Sequence, residues 1–243
     1  MDGFAVLLIA AAAGWGAAAG ASLPRAAYRF SAPAGEAWRD RCPGGHPVRG
    51  WLGRARCAEC GGRDHGTGAA LPALVTAVLC AALAAATGPR PELGVWLLVT
   101  PVGVLLAVVD MRVRRLPDPL TLPLAAGVLA LLGAAALAPG HAGDWRTALL
   151  GALALGAGYF LLFVASPGGM GFGDVKLALG AGAVLGWYGW WAVLLGTFAA
   201  FGCGAVYGGA LVVARKAGRK TAIPFGPFLL AGAYAGLLLG AAG

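Results

Sequence analysis

Apolar residues in this chain run in long unbroken blocks, not in the alternating or one-sided patterns of soluble strands and helices. Eight blocks fall near residues 4–22, 69–87, 94–110, 120–138, 146–166, 175–187, 188–213 and 222–241. Most approach the ~20 residues that a helix needs to cross about 30 Å of hydrocarbon. Backbone groups in lipid must find their hydrogen-bond partners within the segment, so blocks of this length are predicted to be helices. The third is slightly short, and the sixth, Val175 to Trp187, is shorter still. Its boundary with the seventh is placed at Gly186-Trp187-Tyr188-Gly189, an aromatic cluster suited to a membrane interface. The predicted fold class is an all-α membrane protein. It is a bundle of about eight transmembrane helices with a small cytoplasmic loop subdomain between helices one and two. Residues 1–22 form the first transmembrane helix, 23–68 the Cys-containing loop, and 69–243 the main bundle.

Composition supports lipid as the main solvent. The 243 residues are 59% hydrophobic and only 12% charged, with a mean hydropathy of +0.78. A soluble domain carries about 25% charged residues, so this chain lacks the polar side chains to cover a water-facing surface. The 42 glycines suit helices that approach one another closely. The net charge of +8 would suggest nucleic acid in a soluble protein, but its location excludes that reading. Sixteen Lys and Arg residues fall in loops on one side of the predicted spans, and only Arg90 and Arg146 on the other. The first side is therefore cytoplasmic, where the basic residues meet anionic lipid headgroups. Both termini then face outward, which requires an even number of spans. Met1-Asp2-Gly3-Phe4 lacks the basic start of a cleaved secretory signal, so the first block is read as a retained span.

Two of the ten acidic residues stand at the ends of apolar blocks instead of in evident loops. Asp110 closes the third, and Asp174 opens the sixth within Gly171-Phe172-Gly173-Asp174-Val175-Lys176. An ionisable group at membrane depth is costly and is a functional candidate for that reason. Each also has a structural reading. Asp110 could pair with Arg114 one turn on, and Asp174 could be an N-cap or first-turn acid. Two carboxylates brought together from different helices would hold one proton between them, and such a pair can activate water and protonate an amide leaving group. The glycines before Asp174 allow a peptide or helix to approach the backbone closely. A phosphate-binding P-loop is excluded, because no Gly-Lys-Ser/Thr follows.

Gly171-Phe172-Gly173-Asp174-Val175-Lys176-Leu177 resembles the GxGD motif of type IV prepilin peptidases. Val109 to Asp118, ending in Leu116-Pro117-Asp118, resembles that family's first aspartate box. Ile223-Pro224-Phe225-Gly226-Pro227-Phe228 is similar to its last-helix motif. The resemblance implies that Asp110 and Asp174 are the catalytic pair, with Gly171, Gly173, Lys176, Pro117 and Asp118 as supporting motif positions. It implies a substrate as well: the short basic leader of pilin-like precursors serving type IV pili or type II secretion, cut at the cytoplasmic face of the bacterial inner membrane.

Cys42, His46, Cys57 and Cys60 follow a Cys-x3-His-x10-Cys-x2-Cys spacing, an acceptable tetrahedral zinc set. His65 is an alternative fourth ligand, and the alternative for the whole set is reduced cytosolic thiols in a flexible loop. Cys80 and Cys203 read as small core residues. The family's bifunctional members carry two Cys-x2-Cys pairs and use S-adenosylmethionine to N-methylate the new N-terminus. Here Gly45 stands in the place of one cysteine and Pro24 in the place of an asparagine, so that cofactor is expected only if the methylase function is retained. The expected partners are prepilin or pseudopilin precursors and membrane lipids, without nucleic acid. The competing functional readings are a membrane transporter with a proton relay and an assembly subunit of a secretion system.

Overall fold

A computed structural model describes residues 2–33, 35–166, 170–214 and 224–243. Nine helices are present among them: α1 (Gly3–Ser22), α2 (Pro24–Phe30), α3 (Ala70–Thr87), α4 (Glu92–Val113), α5 (Asp118–Ala135), α6 (Trp145–Ala165), α7 (Phe172–Trp187), α8 (Trp190–Val213) and α9 (Gly226–Ala242). The only sheet among the described residues is a small hairpin of β1 (Arg56–Cys57) and β2 (Arg63–Asp64), paired antiparallel. The protein is an all-α membrane protein.

Each predicted block coincides with one long helix, but not every one has full span length. Among the described residues six helices are long and apolar enough to cross a membrane, while α9 has 17 residues and α7 has 16. The third block is longer than its apolar core suggested, at 22 residues, because Glu92 and Arg112 extend it and Pro101 is accommodated inside. The fourth stops at Ala135, short of the predicted 138, where Gly140 takes a left-handed φ of +81° in the following turn. Helix α2 was not predicted. Pro24 occupies its first turn, where a missing N–H costs nothing.

The chain divides into two compact units. The first comprises Met1–Pro89 and Trp96–Arg115, the second Arg90–Val95 and Leu116–Gly243. In the first unit, α1 packs on α3 where Gly16 and Gly20 lie against the backbone of Thr76 and Pro72. Their lack of side chains lets the two helices touch main chain to main chain. Trp15 Nε1 donates to the Leu97 carbonyl at 2.9 Å, which ties α1 to α4.

In the second unit α7 is the central element, with α5, α6, α8 and α9 packed around it. Twelve of its residues are buried. Gly182 and Gly186 of α7 meet Gly151, Thr147 and Ala148 of α6 backbone to backbone, and α8 meets α9 the same way through Gly196, Gly232 and Gly236. Gly189, at φ +94°, separates α7 from α8. The loop before α6 is pinned at two points. Asp144 accepts from the Thr147 N–H at 2.9 Å, and its own N–H donates to the Trp187 carbonyl at 3.0 Å. Glu92, fully buried, accepts from the Ala142 N–H at 3.1 Å.

The α6–α7 seam makes a direct prediction. Gly182→Val would drive a branched side chain into the Gly151 carbonyl and should destabilise the protein by more than about 2 kcal/mol. Gly158→Ala, on the same α6 but with open space around it, should be neutral or slightly stabilising. Thermal unfolding of both variants in detergent checks the contrast.

Candidate active site

Asp110 lies in the last turn of α4 and is 4% exposed. The helix ends just beyond it. Arg114 adopts a left-handed φ of +51° while its N–H donates to the Asp110 carbonyl at 2.8 Å. A non-glycine residue in that conformation costs about 1–2 kcal/mol, so the turn after Asp110 is held by its surroundings. Arg115 supplies one restraint: its guanidinium donates to the Pro33 carbonyl at 3.0 Å and stacks 4.6 Å from the Trp38 ring centroid.

In the second unit Pro117 is the extended residue that precedes α5, and Asp118 is the helix's first residue. Gly171 occupies the equivalent entry position of α7, and Asp174 lies in its first turn, 7% exposed. The Asp174 carboxylate accepts from the Gly171 N–H at 3.1 Å, which satisfies one of the donors left over at a helix start. Asp174 is thus a first-turn acid as well as a candidate for chemistry.

Two contacts join the motif segments 116–118 and 171–176. A Cβ at Gly173 would stand 2.9 Å from the Leu116 Cβ, so only glycine fits there without displacing the buried leucine. Lys176 Nζ forms an ion pair with Asp118 Oδ1 at 2.7 Å and lies 4.9 Å from the Phe172 ring centroid. Lys176 had no role assignable from sequence, and Leu116 was noted only as a motif letter. The Lys176–Asp118 pair also means that the Asp118 charge is met from within the protein. Of the last-helix motif, Ile223 lies outside the described residues. Phe225 immediately precedes α9 and stacks with Phe201 at 5.1 Å and Tyr159 at 6.0 Å.

The cysteine loop gathers the predicted ligands in the first unit. The β1–β2 hairpin carries Cys57, and a single 3-10 turn, Ala58–Cys60, carries Cys60. His46 Nδ1 lies 3.5 Å from Cys42 Sγ, 3.2 Å from Cys60 Sγ and 3.6 Å from Cys57 Sγ. Cys42 and Cys60 sulfurs are 3.6 Å apart. Ligands around a tetrahedral zinc stand about 3.5–3.8 Å from one another, so these residues fit that ion. The donor atoms of Cys42, Cys57, Cys60 and His65 also lie within 4.8 Å of one another. Both histidines are therefore placed beside the three sulfurs, with His46 Nδ1 within 3.6 Å of each. The other His46 nitrogen, Nε2, is 3.2 Å from Glu59 Oε2, the carboxylate–histidine arrangement that orients a ligating imidazole. Burial raises the Cys42 thiol, but hydrogen bonds from the His46 backbone, Cys60 and His46 outweigh it and bring the group to about 6. Burial and the neighbouring Cys42 and Cys57 push Cys60 up to about 11. Glu59 was not singled out from sequence, since a lone exposed glutamate carries no signal there.

Comparison with known proteins fits this constellation. Residues 96–209 match the profile of the Type IV leader peptidase family. A Burkholderia pseudomallei protein named prepilin leader peptidase/N-methyltransferase is 33% identical over 241 residues, covering 90% of this chain and 71% of that protein. The chain belongs to the type IV leader peptidase family. Proteins of the same name from Aeromonas hydrophila and Dichelobacter nodosus are 35% and 31% identical, over 80% and 90% of this chain. The chain spans 66% of the length of the Aeromonas relatives and 76% of the Dichelobacter one. No solved structure matches the chain significantly.

The Lys176–Asp118 pair is measurable by a double-mutant cycle with Lys176→Met and Asp118→Asn. Asp118 is well exposed, so the coupling should be at most about 1 kcal/mol and should shrink in high salt. Gly173→Ala should cost more than breaking the pair, because the buried Leu116 must move. Denaturation of the single and double variants reads both effects.

Proposed function

We propose that the protein is a membrane aspartic endopeptidase that removes the basic leader from type IV prepilins or pseudopilins, with Asp110 and Asp174 as its catalytic pair. The observation that carries this reading is the packing of the Gly171–Lys176 segment, which contains Asp174, against Leu116-Pro117-Asp118, the turn that follows Asp110, in a chain of the type IV leader peptidase family. Both carboxylates are largely buried, as a shared-proton pair requires.

In the proposed reaction one aspartate is ionised and the other protonated. The ionised carboxylate takes a proton from water as the water oxygen bonds to the scissile carbonyl carbon. The protonated partner then gives its proton to the amide nitrogen as the C–N bond breaks. Asp174 lies in the first turn of α7, where the helix dipole favours negative charge, and Asp110 lies in the last turn of α4, where it does not. Asp174 is therefore the base and Asp110 the acid. Residues 69–243 carry this activity, and 1–22 and 23–68 supply the first span and the Cys-containing loop. The excess of Lys and Arg in the loops on one side supports a site at the cytoplasmic face of the bacterial inner membrane.

Cys42, His46, Cys57 and Cys60 would hold a structural zinc, which would staple a loop with little apolar core of its own. The proposal is confined to the peptidase. The relatives' names include N-methyltransferase, whereas this chain has Gly45 and Pro24 at two positions expected to differ in methylating members. The family assignment gives no support to a transporter or an inert assembly subunit.

Asp110→Asn and Asp174→Asn should each lower cleavage of a purified prepilin by at least about a thousandfold, on the scale of losing one member of a catalytic unit. Normal activity in either variant would remove the pair mechanism. Mass spectrometry of the product N-terminus, with and without S-adenosylmethionine, reports cleavage and any methylation together. Metal analysis of the purified protein should find one zinc per chain, lost in Cys57→Ser, and a chelator should open residues 42–65 to proteolysis.

A further inference from the structure

Within the cytoplasmic loop one short stretch combines rigidity with exposed apolar side chains. Arg49-Gly50-Trp51-Leu52-Gly53-Arg54 makes a tight turn whose glycines take φ of +75° at Gly50 and +111° at Gly53. At its tip Leu52 is 63% exposed and Trp51 42%. A large apolar pair at the tip of a polar loop is costly in water, and two arginines flank it, both exposed.

The turn is held from beneath by α2. Arg25 donates to the carbonyls of Arg49 at 3.0 Å and Arg54 at 3.2 Å. Arg29 donates to those of Val48 at 2.9 Å and Gly50 at 3.0 Å, and its guanidinium lies 4.1 Å from the Trp51 ring centroid. Trp51 also stacks on Phe30 at 4.8 Å. The Arg25 and Arg29 charges are thus spent on the turn's main chain, while Arg49 and Arg54 are exposed, Arg54 within electrostatic reach of Asp64.

Its position is fixed by two backbone hydrogen bonds. The Gly53 N–H donates to the Ser22 carbonyl at 2.6 Å, and the Arg25 N–H donates to the Gly53 carbonyl at 2.9 Å. Ser22 is the last residue of α1, a 20-residue apolar helix whose length, about 30 Å, matches the hydrocarbon thickness. Gly53 is therefore stitched to the end of the first apolar helix.

We propose that residues 49–54 form an interfacial anchor. In this arrangement Trp51 and Leu52 enter the headgroup boundary, and Arg49 and Arg54 bind the phosphate groups of anionic phospholipid. Tryptophan is favoured at this depth, and arginine matches a phosphodiester with paired N–H donors. Rigidity imposed by Arg25 and Arg29 lowers the ordering cost of that contact. The inference concerns the first unit alone and goes beyond the peptidase reading, on which it does not depend.

The test places photoreactive p-benzoylphenylalanine at Leu52 in the full-length protein, reconstituted in nanodiscs with or without phosphatidylglycerol. After illumination, mass spectrometry of the peptide containing residue 52 should find a phospholipid adduct. Its yield should fall at least about threefold in discs of phosphatidylcholine alone, or when Arg49→Gln and Arg54→Gln are combined, as the loss of roughly one favourable interaction per arginine requires. The comparison of lipids needs no further substitution, so it stands even if the double arginine variant fails to fold. An adduct to another segment of the protein, or no adduct, would overturn the anchor. Equal lipid yield in both kinds of disc would overturn the recognition of anionic headgroups.

Discussion

Main-chain contact between helices is the constraint on which the second unit depends. Apolar side chains gain nothing by leaving lipid for one another, so helices in a membrane associate through close packing and hydrogen bonds. Gly182 and Gly186 of α7 lie on Gly151 of α6, and Gly196, Gly232 and Gly236 bring α8 and α9 together. These approaches allow four helices to surround α7, which accordingly buries twelve residues. A helix so enclosed need not have full span length, because its neighbours and not lipid form its surroundings. Its N-terminus carries Asp174, so the seam that seats the helix also seats the acid.

Several polar groups withdrawn from water are met by partners, which offsets the cost of their burial. Glu92 reaches the Ala142 N–H, and Asp174 takes the Gly171 N–H. Lys176 meets Asp118. In the Cys-containing loop, which has few apolar residues to bury, arginines replace the core. Arg25 and Arg29 collect four carbonyls of one turn, and Arg29, Arg39 and Arg115 each lie over an aromatic ring. Charges that an orientation count treats as membrane-facing are in these cases structural. The Cys42, Cys57, Cys60 and His46 cluster is a second device of this kind, gathering donors around a loop that hydrophobic packing alone would not order.

The sequence by itself determined the number and order of the long helices, the break at Gly186–Gly189, the all-α membrane class, and the two acid-bearing motifs that place the chain in its family. These properties are local. Continuous apolar length, glycine at a helix boundary and a carboxylate at the end of an apolar run each act over a single turn or segment, so one stretch of chain reveals them. Only the tertiary structure decided what glycine and lysine do beside Asp174. Gly173 leaves room for Leu116, and Lys176 pairs with Asp118, contacts between residues remote in the chain that no spacing rule encodes. The gathering of three thiols and two imidazoles in one place was decided there too, as was the stitching of Gly53 to the end of α1. Such contacts depend on how helix backbones and loop carbonyls meet in space, and a linear pattern carries the residues for them without their distances.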